Sequence, residues 1–192
     1  MAGRARTAQE RREAAEARRA RRAAVTDPDV VMEAAAAFLA VRSRSSEETR
    51  RRLRHLGYPH GLCDQVVERL EQLGYLDDHE FARAWVESRD RARPRGAVAL
   101  RRELQLKGIS DAIIAAALEG RGQAPGAGTP ADGSDADREA ARKLLSKRAR
   151  SLAREPDAYR RRQRAYALLA RNGFAPDVCQ EVAATLTDDP MS

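Results

Sequence analysis

The chain has 192 residues, 34% of them charged and 4% aromatic, with a formal net charge of +7. Alanine, arginine, leucine and glutamate dominate, which favours helices and leaves few residues to build a sheet. No apolar run approaches the ~18 residues of a membrane helix, residues 1–24 lack a signal-peptide core, and two distant cysteines make no disulfide framework.

These exclusions leave a cytoplasmic helical protein, and its basic balance calls for a polyanionic or acidic partner. Residues 1–25 carry eight Arg and three Glu with no apolar stripe, so this extension is expected to be disordered or a solvated helix. The composition suits a weak electrostatic arm on nucleic acid.

Asp27-Pro28 starts the first packed helix, with Val30, Ala34, Ala37, Phe38 and Val41 predicted inward. Ser45 and Glu48 form a capping box for a second helix bearing Leu53 and ending at Gly57. Pro59 opens a third, with Leu62, Cys63, Val66, Val67, Leu70 and Leu73 inward, ending at Gly74. Asp77-Asp78 restarts a helix holding Phe81, Ala82, Trp85 and Val86, which must stop before Pro94. Gly96 to Leu106 is the next, closed by Gly108, and Ser110 caps a short helix with Ile113, Ile114 and Leu118. Residues 120–134 are rich in Gly, Pro and Ala and read as a flexible linker. Beyond them lie a basic helix from Asp135 to Arg154, a second from Tyr159 to Arg171 closed by Gly173, and a third from Pro176 to Leu186.

Gly57, Gly108 and Gly173 provide a common frame. Four residues before each stands Leu53, Leu104 or Leu169, and one after stands Tyr58, Ile109 or Phe174. Five after come Leu62, Ile113 and Val178, six after Cys63, Ile114 and Cys179, and nine after Val66, Ala117 and Val182. Agreement across a helix, a turn and a second helix implies an all-α, elongated tandem array of three three-helix repeats. The expected organisation is an extension over 1–26, repeats over 27–76 and 77–120, a linker over 121–134, and a third repeat over 135–187. The frame makes both cysteines core residues. His55, His60 and Cys63 lack a fourth ligand and regular spacing, so no metal or other cofactor is expected, and no catalytic constellation is present.

Positive charge concentrates on the first and second helices of the repeats, while Asp64 to Glu80 holds six anions and one Arg. In the middle repeat, Arg89 to Lys107 holds seven cations and two anions. These cations, Arg89, Arg91, Arg93, Arg95, Arg101, Arg102 and Lys107, are the candidates for contact with a partner or phosphate. The scarcity of aromatics argues against gripping a single strand by base stacking. Trp85 reads as core, with truncation to alanine expected to cost about 3–5 kcal/mol.

The middle stretch resembles the RecX family of recombination regulators. The residues that carry the likeness are Gly74-Tyr75-Leu76-Asp77-Asp78, Phe81-Ala82, Trp85-Val86 with Arg89, Arg95-Gly96, Leu100-Arg101, Glu103-Leu104 and Lys107-Gly108-Ile109. The flanks agree more loosely, and the likeness spans roughly 30–186. It implies a protein of tandem three-helix repeats, and with no catalytic constellation in the sequence a non-enzymatic monomer is expected. Its implied partners are the recombinase RecA and the RecA filament on single-stranded DNA, whose activity it would restrain; the basic charge adds weak direct nucleic-acid binding as a secondary expectation. The alternative is a helix-turn-helix transcriptional regulator, but no repeat shows a short turn leading into a polar recognition helix.

Overall fold

A computed structural model describes residues 7–121 and 133–186, and among them every regular element is a helix. The chain divides into two compact units, Met1–Asp78 and His79–Ser192.

The first unit begins with α1 (Ala8–Ala23), whose Thr7 and Glu10 form a reciprocal capping box and which buries no residue. Its last turn rests on the body through Arg22, whose guanidinium lies 5.7 Å from the centre of the Tyr58 ring and donates to the Leu56 carbonyl at 3.4 Å. The first repeat follows as α2 (Pro28–Leu39), α3 (Ser46–Leu56) and α4 (His60–Gln72). Its core is Val31, Ala35, Leu53, Cys63, Val66, Val67 and Leu70, joined by Tyr58 and Leu76. Leu73, expected inward, is instead exposed, because α4 ends before it and the chain turns away at Gly74.

The inward face of α2 departs from the expected one. Val30 and Val41 are exposed, and Val31 and Ala35 are the residues fully buried there. The Val30-Val31 pair fits either register. The α3–α4 pair selects the one carrying Ala35, and Phe38 instead lies under the Arg44 guanidinium, 4.1 Å from its ring centre. Thr49 occupies a fully buried slot where the second repeat has Leu100, and its hydroxyl donates to the Ser45 carbonyl at 3.0 Å, leaving no orphaned polar group.

The second unit holds two repeats. One comprises α5 (Asp78–Ala92), α6 (Ala97–Leu106) and α7 (Asp111–Glu119), around Phe81, Val86, Leu100, Leu104 and Ile114. The other comprises α8 (Gly133–Ser146), a short α9 (Ala149–Leu152), α10 (Ala158–Arg171) and α11 (Pro176–Ala184), around Leu144, Leu145, Leu152, Leu169 and Val182. The sequence predicts one helix from Asp135 to Arg154, and the structure breaks it after Ser146. There the Arg148 N–H donates to the carbonyl three residues back, on Leu145, and the Ser146 hydroxyl takes the Lys143 carbonyl.

The glycine frame holds in detail. Gly57, Gly108 and Gly173 have φ of 101°, 80° and 79°, the left-handed conformation that side chains disfavour. After each, the next N–H reaches back to the leucine: Tyr58 to Leu53, Ile109 to Leu104, and Phe174 to Leu169, at 3.3, 3.1 and 3.3 Å. The two thiols are equivalent too. Cys63 donates to the Tyr58 carbonyl and Cys179 to that of Phe174, and burial pushes both thiol pKa values up. Both are thus inert core residues.

Candidate interaction surface of the second repeat

The seven candidate cations all lie on α5, on α6 or in the turns that flank them, and the structure divides them sharply. Arg89, Arg95 and Lys107 serve the fold. Glu103 is the hub for the two arginines: it accepts from the Trp85 indole N–H at 2.9 Å and from Arg89 Nε at 2.6 Å, with Arg95 Nε at 3.6 Å. Arg89 lies 4.3 Å and Lys107 4.2 Å from the Trp85 ring centre, and Phe81 stacks on the indole at 6.0 Å. Cations over an indole face gain from its quadrupole. Trp85 is therefore a half-buried platform at the rim of its core. Truncating it to alanine should cost about 2–3 kcal/mol, below the ~3–5 kcal/mol of a fully enclosed ring. Urea unfolding followed by circular dichroism checks this.

Arg95 is held further by the third repeat, donating to the Asn172 side chain at 2.9 Å. The Pro94–Gly96 turn is the seat of that repeat. Gly96 N–H donates to the Asn172 carbonyl at 3.0 Å, and Lys147 Nζ reaches the Arg91 and Ala92 carbonyls at 3.2 and 3.0 Å. A Cβ on Gly96 would collide with the Gly173 carbonyl, and one on Gly173 would collide with Ala99, so the two bare Cα atoms set this approach.

Beneath the turn lies an ionic cluster that the sequence does not reveal. Arg121 has a side chain only 2% exposed and clamps Asp90 with two bonds of 2.6 and 2.9 Å. It also donates to Asp137 and, at 2.7 Å, to the Arg95 carbonyl. Asp137 in turn accepts the Ala97 N–H at the start of α6. Burial pushes the Asp137 carboxyl above its ordinary value, against the pull of Arg121 and the Ala97 N–H. Arg121 sits at the edge of the stretch read as linker, whose residues 122–132 lie outside the described ones. Nothing in its Gly-Arg-Gly surroundings signals burial.

Arg91, Arg93, Arg101 and Arg102 remain exposed. Arg101 and Arg102 share an outer face of α6 with Gln105 and with Val98 and Leu106, which are 45% and 77% exposed. Among the described residues these two arginines have no ion-pair partner, and the first repeat explains why. Seven residues before its glycine, Arg50 is bonded to Glu47 at 2.9 Å and to Asp64 at 3.0 Å, and Arg51 one residue on takes Glu47 at 2.8 Å. In the same register the second repeat has Arg101 and Arg102, but Val98 replaces the glutamate and Ala115 the aspartate. The cations are kept and the internal carboxylates are gone. The site is an open helix face with two arginines between apolar side chains.

Among the described residues no group of His, Cys, Asp or Glu could hold a metal ion, and no helix is long and apolar enough to cross a membrane.

Family models for RecX match all three repeats. The first three-helix domain matches residues 32–70, the second 77–118 and the third 135–183. The regulatory protein RecX of Mycobacterium ulcerans is 34% identical over 150 residues, covering 78% of this chain and 80% of the relative. That of Mycobacterium tuberculosis is 33% identical over 153 residues, covering 78% and 82%. The crystal structure of RecX from Lactobacillus salivarius superposes with a TM-score of 0.70 over 84% of this chain and 97% of that one, at 19% identity. A second crystal structure, of a regulatory protein RecX, gives 0.68 over 96% and 82%, at 20% identity.

Proposed function

The chain belongs to the RecX family of regulatory proteins, and from that membership we propose that it binds RecA and the RecA filament on single-stranded DNA. Bound there, it restrains the recombinase without chemistry of its own and so regulates recombination and repair. The observation that carries the reading to particular residues is the outer face of α6. Arg101 and Arg102 are exposed with none of the carboxylates that occupy their counterparts in the first repeat. Exposed cations beside Val98 and Leu106 suit an acidic protein surface, with charge steering the approach and the apolar pair adding buried area. Arg91 and Arg93, exposed at the end of α5, would extend the positive field.

The test uses the RecA of the same organism. The purified chain should lower its DNA-dependent ATP hydrolysis and strand exchange. The double variant Arg101→Glu, Arg102→Glu should need about tenfold more protein for the same effect, with an unchanged circular dichroism spectrum. No binding to RecA by the unmodified chain would end the proposal, and full potency of the double variant would end the assignment to α6.

A further inference from the structure

The glycine register that explains Arg101 also exposes a difference in the third repeat. Ten before, seven before and seven after the glycine, the first repeat carries Glu47, Arg50 and Asp64, an ion-paired set between its second and third helices. The third repeat has Gln163, Tyr166 and Gln180 at these positions. Here a cleft of ≈ 410 Å³ lies between α10 and α11, lined by Arg162, Gln163, Tyr166, Gln180 and Ala183. No carboxylate lines it. Glu181, the nearest in sequence on α11, is held by Arg138 at 2.7 Å.

One turn before Gln163 on α10 stands Tyr159, 62% exposed. Tyr159, Arg162, Gln163 and Tyr166 are spaced i, i+3, i+4 and i+7, which places them on one face of α10. The ring of Tyr159 is not loose: Gln163 Nε2 donates to its hydroxyl at 3.0 Å, and the Arg162 guanidinium stands 5.9 Å from its centre. Tyr166 packs against the core and gives the cleft a fixed aromatic wall. Aromatics are scarce in this chain, yet two of its four tyrosines lie on this one face of α10, with Arg162 between them in the sequence.

We propose that this cleft binds single-stranded nucleic acid. A base stacks on Tyr159, the amides of Gln163 and Gln180 meet the edge of a base against Tyr166, and Arg162 with the exposed Arg160 neutralises the flanking phosphates. Stacking on aromatic rings beside a cationic track is the general means of holding an unpaired strand, because every base offers a π-face. A duplex, whose bases are already stacked, has no use for the rings. An acidic peptide would use the arginines and leave the rings and amides idle. The site needs no RecA, so it stands or falls separately from the function proposed above.

The experiment is fluorescence anisotropy of a labelled oligothymidylate with the full chain and no RecA. The strand should bind more tightly than a duplex of equal length, and unlabelled strand should compete better than polyglutamate. Tyr159→Ala should weaken binding about fivefold or more, while Tyr159→Phe, which keeps the ring, should stay within about twofold, with circular dichroism confirming that both remain helical. Equal affinity for duplex, equal competition by polyglutamate, unchanged binding by Tyr159→Ala, or equal loss in Tyr159→Phe would each overturn the proposal.

Discussion

Replacing Arg121 with methionine should lower the unfolding free energy of the second unit by about 3–5 kcal/mol, the range for removing one partner of a buried ion pair. The side chain is 2% exposed and satisfies two carboxylates and a carbonyl at once. Methionine fills much of the volume but leaves Asp137, itself 7% exposed, as a charge without a counter-ion. Denaturant titration monitored by hydrogen exchange, which resolves the helices, would measure it. A companion substitution sharpens the outcome. Asp137→Asn keeps an oxygen for the Ala97 N–H but removes the stranded charge, so the double variant should recover part of the loss. A single variant as stable as the parent would show that the cluster contributes nothing net.

The second large effect is expected from Gly96→Ala. A methyl group there has no free volume, because it meets the backbone of Gly173 rather than a side chain that could turn aside. The cost should be about 3 kcal/mol, near the top of the range for overpacking. It should appear as faster amide exchange at Gly96 and Ala97, whose N–H groups bond to Asn172 and Asp137. Unchanged exchange would mean that the third repeat can shift without penalty.

These two positions mark where the sequence stops being legible. The repeat frame was readable because it rests on local rules: a glycine must end each helix, and a leucine four residues before it must face inward. Those rules need no knowledge of neighbours, and every frame residue but Leu62 and Ile113, which are half-buried, is buried as expected. The face of α2 was misread because Val30-Val31 satisfies two registers and only packing against α3 and α4 chooses between them. The ionic cluster was invisible because Asp90 and Asp137 stand 31 and 16 residues from Arg121 and each alone resembles a solvated charge. The candidate cations were legible as a group and not as individuals. Composition finds seven, but the hub at Glu103 and the pairing in the first repeat separate those that build the fold from those that face outward.

The seating of the third repeat on the Pro94–Gly96 turn bears on how the protein can be cut into pieces. Arg121 lies three residues beyond the end of the second family domain at 118, and Asp137 belongs to the third domain, which begins at 135. A fragment trimmed to the second domain would lose the guanidinium that neutralises Asp90, and the Arg91, Ala92 and Arg95 carbonyls would lose their donors. The borders of the matched domains thus cut through the cluster. The second unit, from His79, keeps the cluster whole together with the α6 face and the α10 cleft.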